Sequence, residues 1–140
     1  MSDYRVTTVD DCRIITLASF DCGAGKRVVA ENSDSLPFSI KRVIYIYDLP
    51  FSAERGGHSH KVEQGLIMAA CGCFDVKVSD GHRWRTFTLR QPDKALYIPV
   101  GIWRVIDNFS SGSVVLSLKS TDFDEDDYIR EYDRFVKTKK

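Results

Sequence analysis

The chain has 140 residues, 43% hydrophobic and 29% charged, with 20 Lys plus Arg balanced by 20 Asp plus Glu. That length is about one domain, and this composition excludes disorder outside the termini. Zero net charge removes the global field that draws a chain to nucleic acid or an anionic membrane, so neither is an expected partner. The stretch from Met1 to Arg5 lacks the apolar region of a signal peptide, and no run of about eighteen apolar residues follows, so a cytoplasmic protein is expected. Cys12, Cys22, Cys71 and Cys73 are too few for a disulfide-stapled scaffold and read as buried, reduced thiols.

Short apolar or alternating runs separated by turn chemistry predict an all-β fold of two packed sheets. Strands are predicted over residues 13–18, 26–30, 41–48, 58–61, 65–70, 73–78, 83–89, 95–98, 103–108 and 113–119. Ser79-Asp80-Gly81-His82 reads as a hairpin turn, because Phe74, Val76 and Val78 alternate before it and Trp84, Thr86 and Thr88 after it. The texture changes after Thr121. Asp122, Asp124, Glu125, Asp126 and Asp127 precede Tyr128, Ile129, Tyr132 and Phe135 at helical spacing, which predicts a short C-terminal helix over about 124–136. Lys137 to Lys140 read as a solvated tail. Nothing divides the chain, so residues 1–140 are expected to form a single domain.

The densest polar cluster is Arg55-Gly56-Gly57-His58-Ser59-His60-Lys61. Residues two apart on a strand face the same way, so His58 and His60 project together and suit proton transfer or metal binding. Glu63, on continued alternation, faces away from both. A polar surface patch is the plain alternative, and the glycines, which let backbone and substrate approach closely, weigh against it.

A His-x-His at a strand start with a later Pro-x-Gly resembles the cupin superfamily, small double-sheet jelly rolls. The cupin pattern places a metal-binding Glu five residues after the second His, where this chain has Gly65. It places a third metal-binding His within Pro-x-Gly-x-x-His, where Pro99-Val100-Gly101-Ile102-Trp103-Arg104 has Arg104. One replacement has no side chain and the other is a permanent cation, so no metal site is expected.

The resemblance sharpens over further blocks. Leu36 to Val43, Tyr45-Ile46-Tyr47-Asp48, the Arg55 to Lys61 cluster, Glu63-Gln64, Leu96-Tyr97-Ile98-Pro99, Ile102-Trp103-Arg104, Asn108-Phe109-Ser110 and Asp124 to Tyr132 are similar to the dTDP-4-keto-6-deoxyglucose 3,4-ketoisomerases, the WxcM-like sugar isomerases. That resemblance implies an isomerase moving a carbonyl from C4 to C3 of a dTDP-linked keto-sugar through an enediol, with no cofactor. It implies His58 as the base and His60 as its partner in proton shuttling or oxygen stabilisation. Arg55 belongs to an Arg-Gly-x-His motif shared with the 3,5-epimerases. Arg42 and Arg104 are candidates for the diphosphate or sugar, or for structural ion pairs. Tyr45, Tyr47 and Tyr97 are candidates to lend a hydroxyl, whereas Trp103 and Phe38 read as core and His82 as a turn residue. A homodimer exchanging N-terminal strands is also implied.

Two positions depart from the family pattern. Ile44 stands where a tyrosine is usual on the substrate face, and Ala24 where Arg or Tyr is common. Both keep two alternatives open: an isomerase or epimerase for another nucleotide sugar, and a non-catalytic sugar-nucleotide binder.

Overall fold

A computed structural model describes residues 3–140. Two five-stranded antiparallel sheets pack face to face. The first has the order β1 (Arg13–Thr16), β9 (Lys94–Ile98), β6 (Gly65–Cys71), β11 (Val114–Lys119), β4 (Arg42–Ile46). The second runs β12 (Tyr128–Ile129), β5 (Arg55–His60), β10 (Trp103–Asp107), β7 (Phe74–Ser79), β8 (Trp84–Leu89). This is the expected all-β jelly-roll arrangement with one short helix, α1 (Tyr132–Thr138), at the C-terminus.

Alternation explains how the layers are filled. Ile67, Ala69, Leu96, Ile98 and Val115 of the first sheet meet Phe74, Val76, Val78, Leu89 and Ile106 of the second. The opposite parity of the first sheet, Leu66, Met68, Ala95 and Leu118, is covered by Leu17, Leu36, Phe38 and Ile40. On the outside of the second sheet, Trp103 and Val105 are covered by Ile129, Tyr132, Phe135 and Val136. Phe38 and Trp103 are core, as their sequence context predicts.

The predicted hairpin is present: Ser79 pairs with Trp84, and the Asp80 carboxylate accepts from the His82 and Arg83 N–H groups at 2.9 Å each. His82 sits in that turn, away from the other histidines, and its ring meets the Lys140 carbonyl.

Four expectations need correction. The strand predicted over 13–18 breaks at Leu17, whose N–H donates to the Asp93 carbonyl while its side chain packs under the first sheet. Beyond it, β2 (Ala18–Asp21) and β3 (Lys26–Val29) pair only with each other. The helix predicted from residue 124 begins only at Tyr132. Glu125–Asp127 is a 3-10 turn, and Tyr128 and Ile129 form β12 against His60 and Ser59. Pairing satisfies the backbone of an otherwise open β5 edge, and that wins over helical propensity. The lysine tail is tied down, because Lys139 Nζ donates to the carbonyls of Tyr4, Thr7 and Gly101 at 2.6, 2.9 and 2.8 Å. Of the cysteines, all free, Cys12 alone is fully buried; Cys22 and Cys71 are exposed.

Candidate active site

His58 is aimed by a glycine-built irregularity. Gly56 and Gly57 both have positive φ, +97° and +62°, and the β5–β10 register shifts between Arg104 and Val105. A Cβ on Gly56 would lie 2.9 Å from the Arg104 carbonyl oxygen, so β5 reaches this approach to β10 only with glycine there. The bulge sets His58 opposite Arg104 and turns both side chains into the space between the sheets.

His58 and His60 do share a face, with ring centroids 4.8 Å apart and planes 84° apart. Their surroundings differ. His58 lines a cavity of about 380 Å³ that opens to solvent, whereas His60, 1% exposed, lies behind it. His60 Nδ1 donates to Asp127 Oδ2 at 2.9 Å, and the same carboxylate accepts from the N–H groups of Lys61, Val62 and Glu63. Tyr128 packs on both imidazoles, at 4.9 and 4.3 Å.

Glu63 does not face away. The chain bends after His60, strand parity lapses, and Glu63 Oε1 lies 3.4 Å from His60 Nε2 while Oε2 accepts from Arg42 at 2.9 Å and Thr121 at 2.7 Å.

The structure brings some candidate residues together and separates others. Arg55, His58 and Arg104 line the cavity, with Arg104 at its buried floor and Arg55 at its exposed rim. Arg42 is committed to the Glu63 pair behind His60. Tyr45 and Tyr47 stack on each other on the outer face of β4, more than 60% exposed, because Ile44 and Ile46 take the inward parity. Tyr97 also lies on an outer face, its hydroxyl donating to Gln64 Oε1 at 2.6 Å. Further cavity residues escaped the sequence reading: Lys119 and Ser117 on β11, Tyr128 on β12, and Glu54 and Arg130 at the rim. Lys119 carried a signal, since it continues the inward parity of Val115 and Ser117 and is the one charged residue of a buried strand.

The residues present do not fit a divalent metal. Gly65 offers no ligand, and Arg104 and Lys119 bring positive charge to the cavity. Among the described residues no group of three or more His, Cys, Asp or Glu is arranged to hold one.

Burial, with the Arg104 charge, pushes His58 down to about 2, and burial pushes His60 down to about 4 against the opposing hydrogen bond to Asp127. Both imidazoles are therefore neutral near pH 7, and His58 has a free lone pair for a proton. Asp127 feels burial pushing its carboxyl up, but bonds from His60 and the Val62 N–H outweigh it and hold it below the usual range.

A stability prediction follows from these directions. Both histidines titrate near pH 6.5 when unfolded, so below that pH the unfolded chain binds more protons than the folded one. Stability therefore falls as pH drops from about 6.5 towards 4, by at most about 1.4 kcal/mol per histidine per pH unit. Thermal melts should give a lower Tm at pH 5 than at pH 7.5, with a shallower dependence in His58→Asn. A flat profile would contradict neutral burial.

Comparisons with known proteins fit this geometry. The family model described as "FdtA: WxcM-like, C-terminal" matches residues 10–140. A TDP-4-oxo-6-deoxy-alpha-D-glucose-3,4-oxoisomerase of Aneurinibacillus thermoaerophilus is 36% identical over 125 residues, 89% of this chain and 90% of that protein. Among solved structures, a 3,4-ketoisomerase from Helicobacter canadensis superposes with a TM-score of 0.87 at 33% identity, covering 91% of this chain and 96% of its own. A TDP-quinovose 3,4-ketoisomerase from Campylobacter jejuni gives 0.85 at 36% identity, covering 91% and 98%. A family match over nearly the whole length, joined to a jelly roll with paired histidines at its cavity, means that this chain belongs to the WxcM-like sugar 3,4-ketoisomerases of the cupin superfamily.

Proposed function

We propose that the protein converts dTDP-4-keto-6-deoxyglucose to the dTDP-3-keto-6-deoxyhexose, with His58 as the base that removes the C3 proton. The observation that carries this reading is the placement of His58: a neutral imidazole lining an open cavity beside buried Arg104, its two ring nitrogens buried and without a side-chain partner among the described residues. A proton alpha to a ketone is acidic enough for a positioned imidazole to remove, and a neighbouring cation stabilises the resulting enediolate. Arg55 and Arg130 at the rim suit the diphosphate, which leaves the sugar at the floor. His60 acts on this reading as a positioning residue, held by Asp127 and packed edge-on to His58.

On the same reading residues 1–140 are one cupin domain working in the cytoplasm as a homodimer, with the β2–β3 ribbon, exposed apart from Val28 and Val29, as the segment exchanged between subunits. No helix among the described residues is long and apolar enough to cross a membrane. Ile44, an apolar wall of the cavity, favours a second reading, the same chemistry on a different nucleotide sugar.

The test is conversion of dTDP-4-keto-6-deoxyglucose followed by NMR, with and without EDTA. The expected result is a 3-keto product at a rate EDTA does not change. A rate that collapses in EDTA and returns with one metal ion per chain would overturn the metal-free mechanism. Substrate bound but unchanged would leave a binder.

A further inference from the structure

Lys119 is buried at the cavity floor, and its one ion pair among the described residues, to Glu63, is loose. It lies on the inward face of β11, beside Arg42 across one ladder and Gly65 across the other, and is 6% exposed. Lysines at that depth are normally paired. Its nearest carboxylate oxygen, Glu63 Oε1, is 3.7 Å from Nζ, beyond hydrogen-bond distance, and the other Glu63 oxygen is taken by Arg42 and Thr121. Gly65 lies against the ammonium: a Cβ there would stand 3.4 Å from Nζ, in ordinary contact with it. Nζ and the His58 ring line the same cavity.

The charge balance of the floor points the same way. Arg42, Arg104 and Lys119 bring three cations, Glu63 and Asp127 two carboxylates, and both histidines are neutral. The floor thus holds one more cation than carboxylate, with Arg104 in no ion pair among the described residues and Lys119 only in the loose one to Glu63, which suits a site where negative charge appears only during reaction. We propose that Lys119 is the oxygen-side catalytic residue of the isomerisation, stabilising and protonating the enediolate oxygen at C4 and then accepting the hydroxyl proton from O3. This rests on the isomerase reading and adds a role to it.

The steps balance. His58 takes the C3 proton; the C–H electron pair becomes the C3=C4 double bond, and the carbonyl pair moves to O4, which takes a proton from the Lys119 ammonium. The amine then takes the O3 proton, the O–H pair becomes the C3 carbonyl, and the double-bond pair takes a proton at C4 from the His58 imidazolium. C3 is oxidised and C4 reduced within one sugar, and both side chains return to their starting state. Burial, with the Arg104 charge beside it and Glu63 opposing, brings Lys119 down to about 8, within reach of both halves of that cycle near neutral pH. The charged or titratable groups around it are Arg42 on β4, Arg104 on β10, Glu63 after β5, and His58 and His60 on β5.

The experiment compares wild type with Lys119→Met and Lys119→Ala. Methionine fills the same channel and leaves Glu63 on Arg42 and Thr121, so the variant should fold, with TDP binding within about twofold of wild type. Its kcat should fall about a hundredfold or more, the cost of losing one oxyanion donor. Lys119→Ala should fall likewise and recover at least about tenfold with added methylammonium, and the alkaline limb of kcat near pH 8 should vanish in both. A Lys119→Met turning over at the wild-type rate would overturn the proposal. So would a loss that methylammonium does not rescue in Lys119→Ala, or an alkaline limb that persists in a variant. A wild type that binds the 4-keto sugar and never converts it would instead remove the isomerase reading beneath.

Discussion

His58→Asn should lose isomerisation by a factor of at least about a hundred to ten thousand while binding TDP as well as wild type does. Asparagine keeps the shape of the imidazole and one hydrogen-bonding group but takes no proton. No other resting base is placed for the C3 proton: the remaining ionisable groups of the cavity are Glu54 at the exposed rim, the cations Arg55, Arg104 and Arg130, the phenol Tyr128, and Lys119, which enters the reaction as the ammonium. His60 cannot substitute from its place behind His58, with Nδ1 bound to Asp127. His60→Asn should accordingly retain part of the activity, because it removes support from His58 without removing the lone pair that accepts the proton. Steady-state rates with calorimetric TDP titration separate the two effects. A His60→Asn that loses more than His58→Asn would reverse the roles.

Asp127→Ala should destabilise the fold by about 2–6 kcal/mol and abolish activity with it. The carboxylate, 7% exposed, accepts from His60 Nδ1 and from three consecutive backbone N–H groups at 2.6 to 3.1 Å. Alanine leaves two buried donors unmet, His60 Nδ1 and the Glu63 N–H, while the Lys61 N–H keeps the residue 127 carbonyl at 3.3 Å, and an unmet buried donor costs about 1–3 kcal/mol. Asp127→Asn should keep more stability but still lose most activity, since its amide donates to His60 Nδ1 and so turns the imidazole into the opposite tautomer. Urea melts give the first quantity and turnover the second. An Asp127→Ala within about 1 kcal/mol of wild type would mean that this network does not hold β5.

Strand parity carried much of the fold and the centre of the site. It set His58 and His60 on one face, Phe74, Val76 and Val78 into the core, and the turn at Asp80-Gly81. It failed where the chain bends. Alternation misplaces Glu63 because Lys61 and Val62 leave the ladder to bind Asp127, a contact 65 to 66 residues away that no local pattern announces. Tyr128 and Ile129 look helical in isolation and become a strand because the edge of β5 is open there. Tyr45 and Tyr97 were candidates by residue type alone; applying the alternation that placed the histidines would have turned Tyr45 outward from Ile44 and Ile46. Lys119 was legible in the same way, an inward lysine on a buried strand.

The central claim is that His58 removes the C3 proton of a 4-keto sugar held in this cavity. It is tested most directly by incubating the wild-type protein with dTDP-4-keto-6-deoxyglucose in deuterated water and following C3 and C4 by NMR, beside His58→Asn. The predicted result is loss of the C3 proton signal with appearance of the 3-keto sugar in the wild type, and a C3 signal that persists in His58→Asn. Exchange at C3 in His58→Asn at the wild-type rate would contradict the assignment of the base.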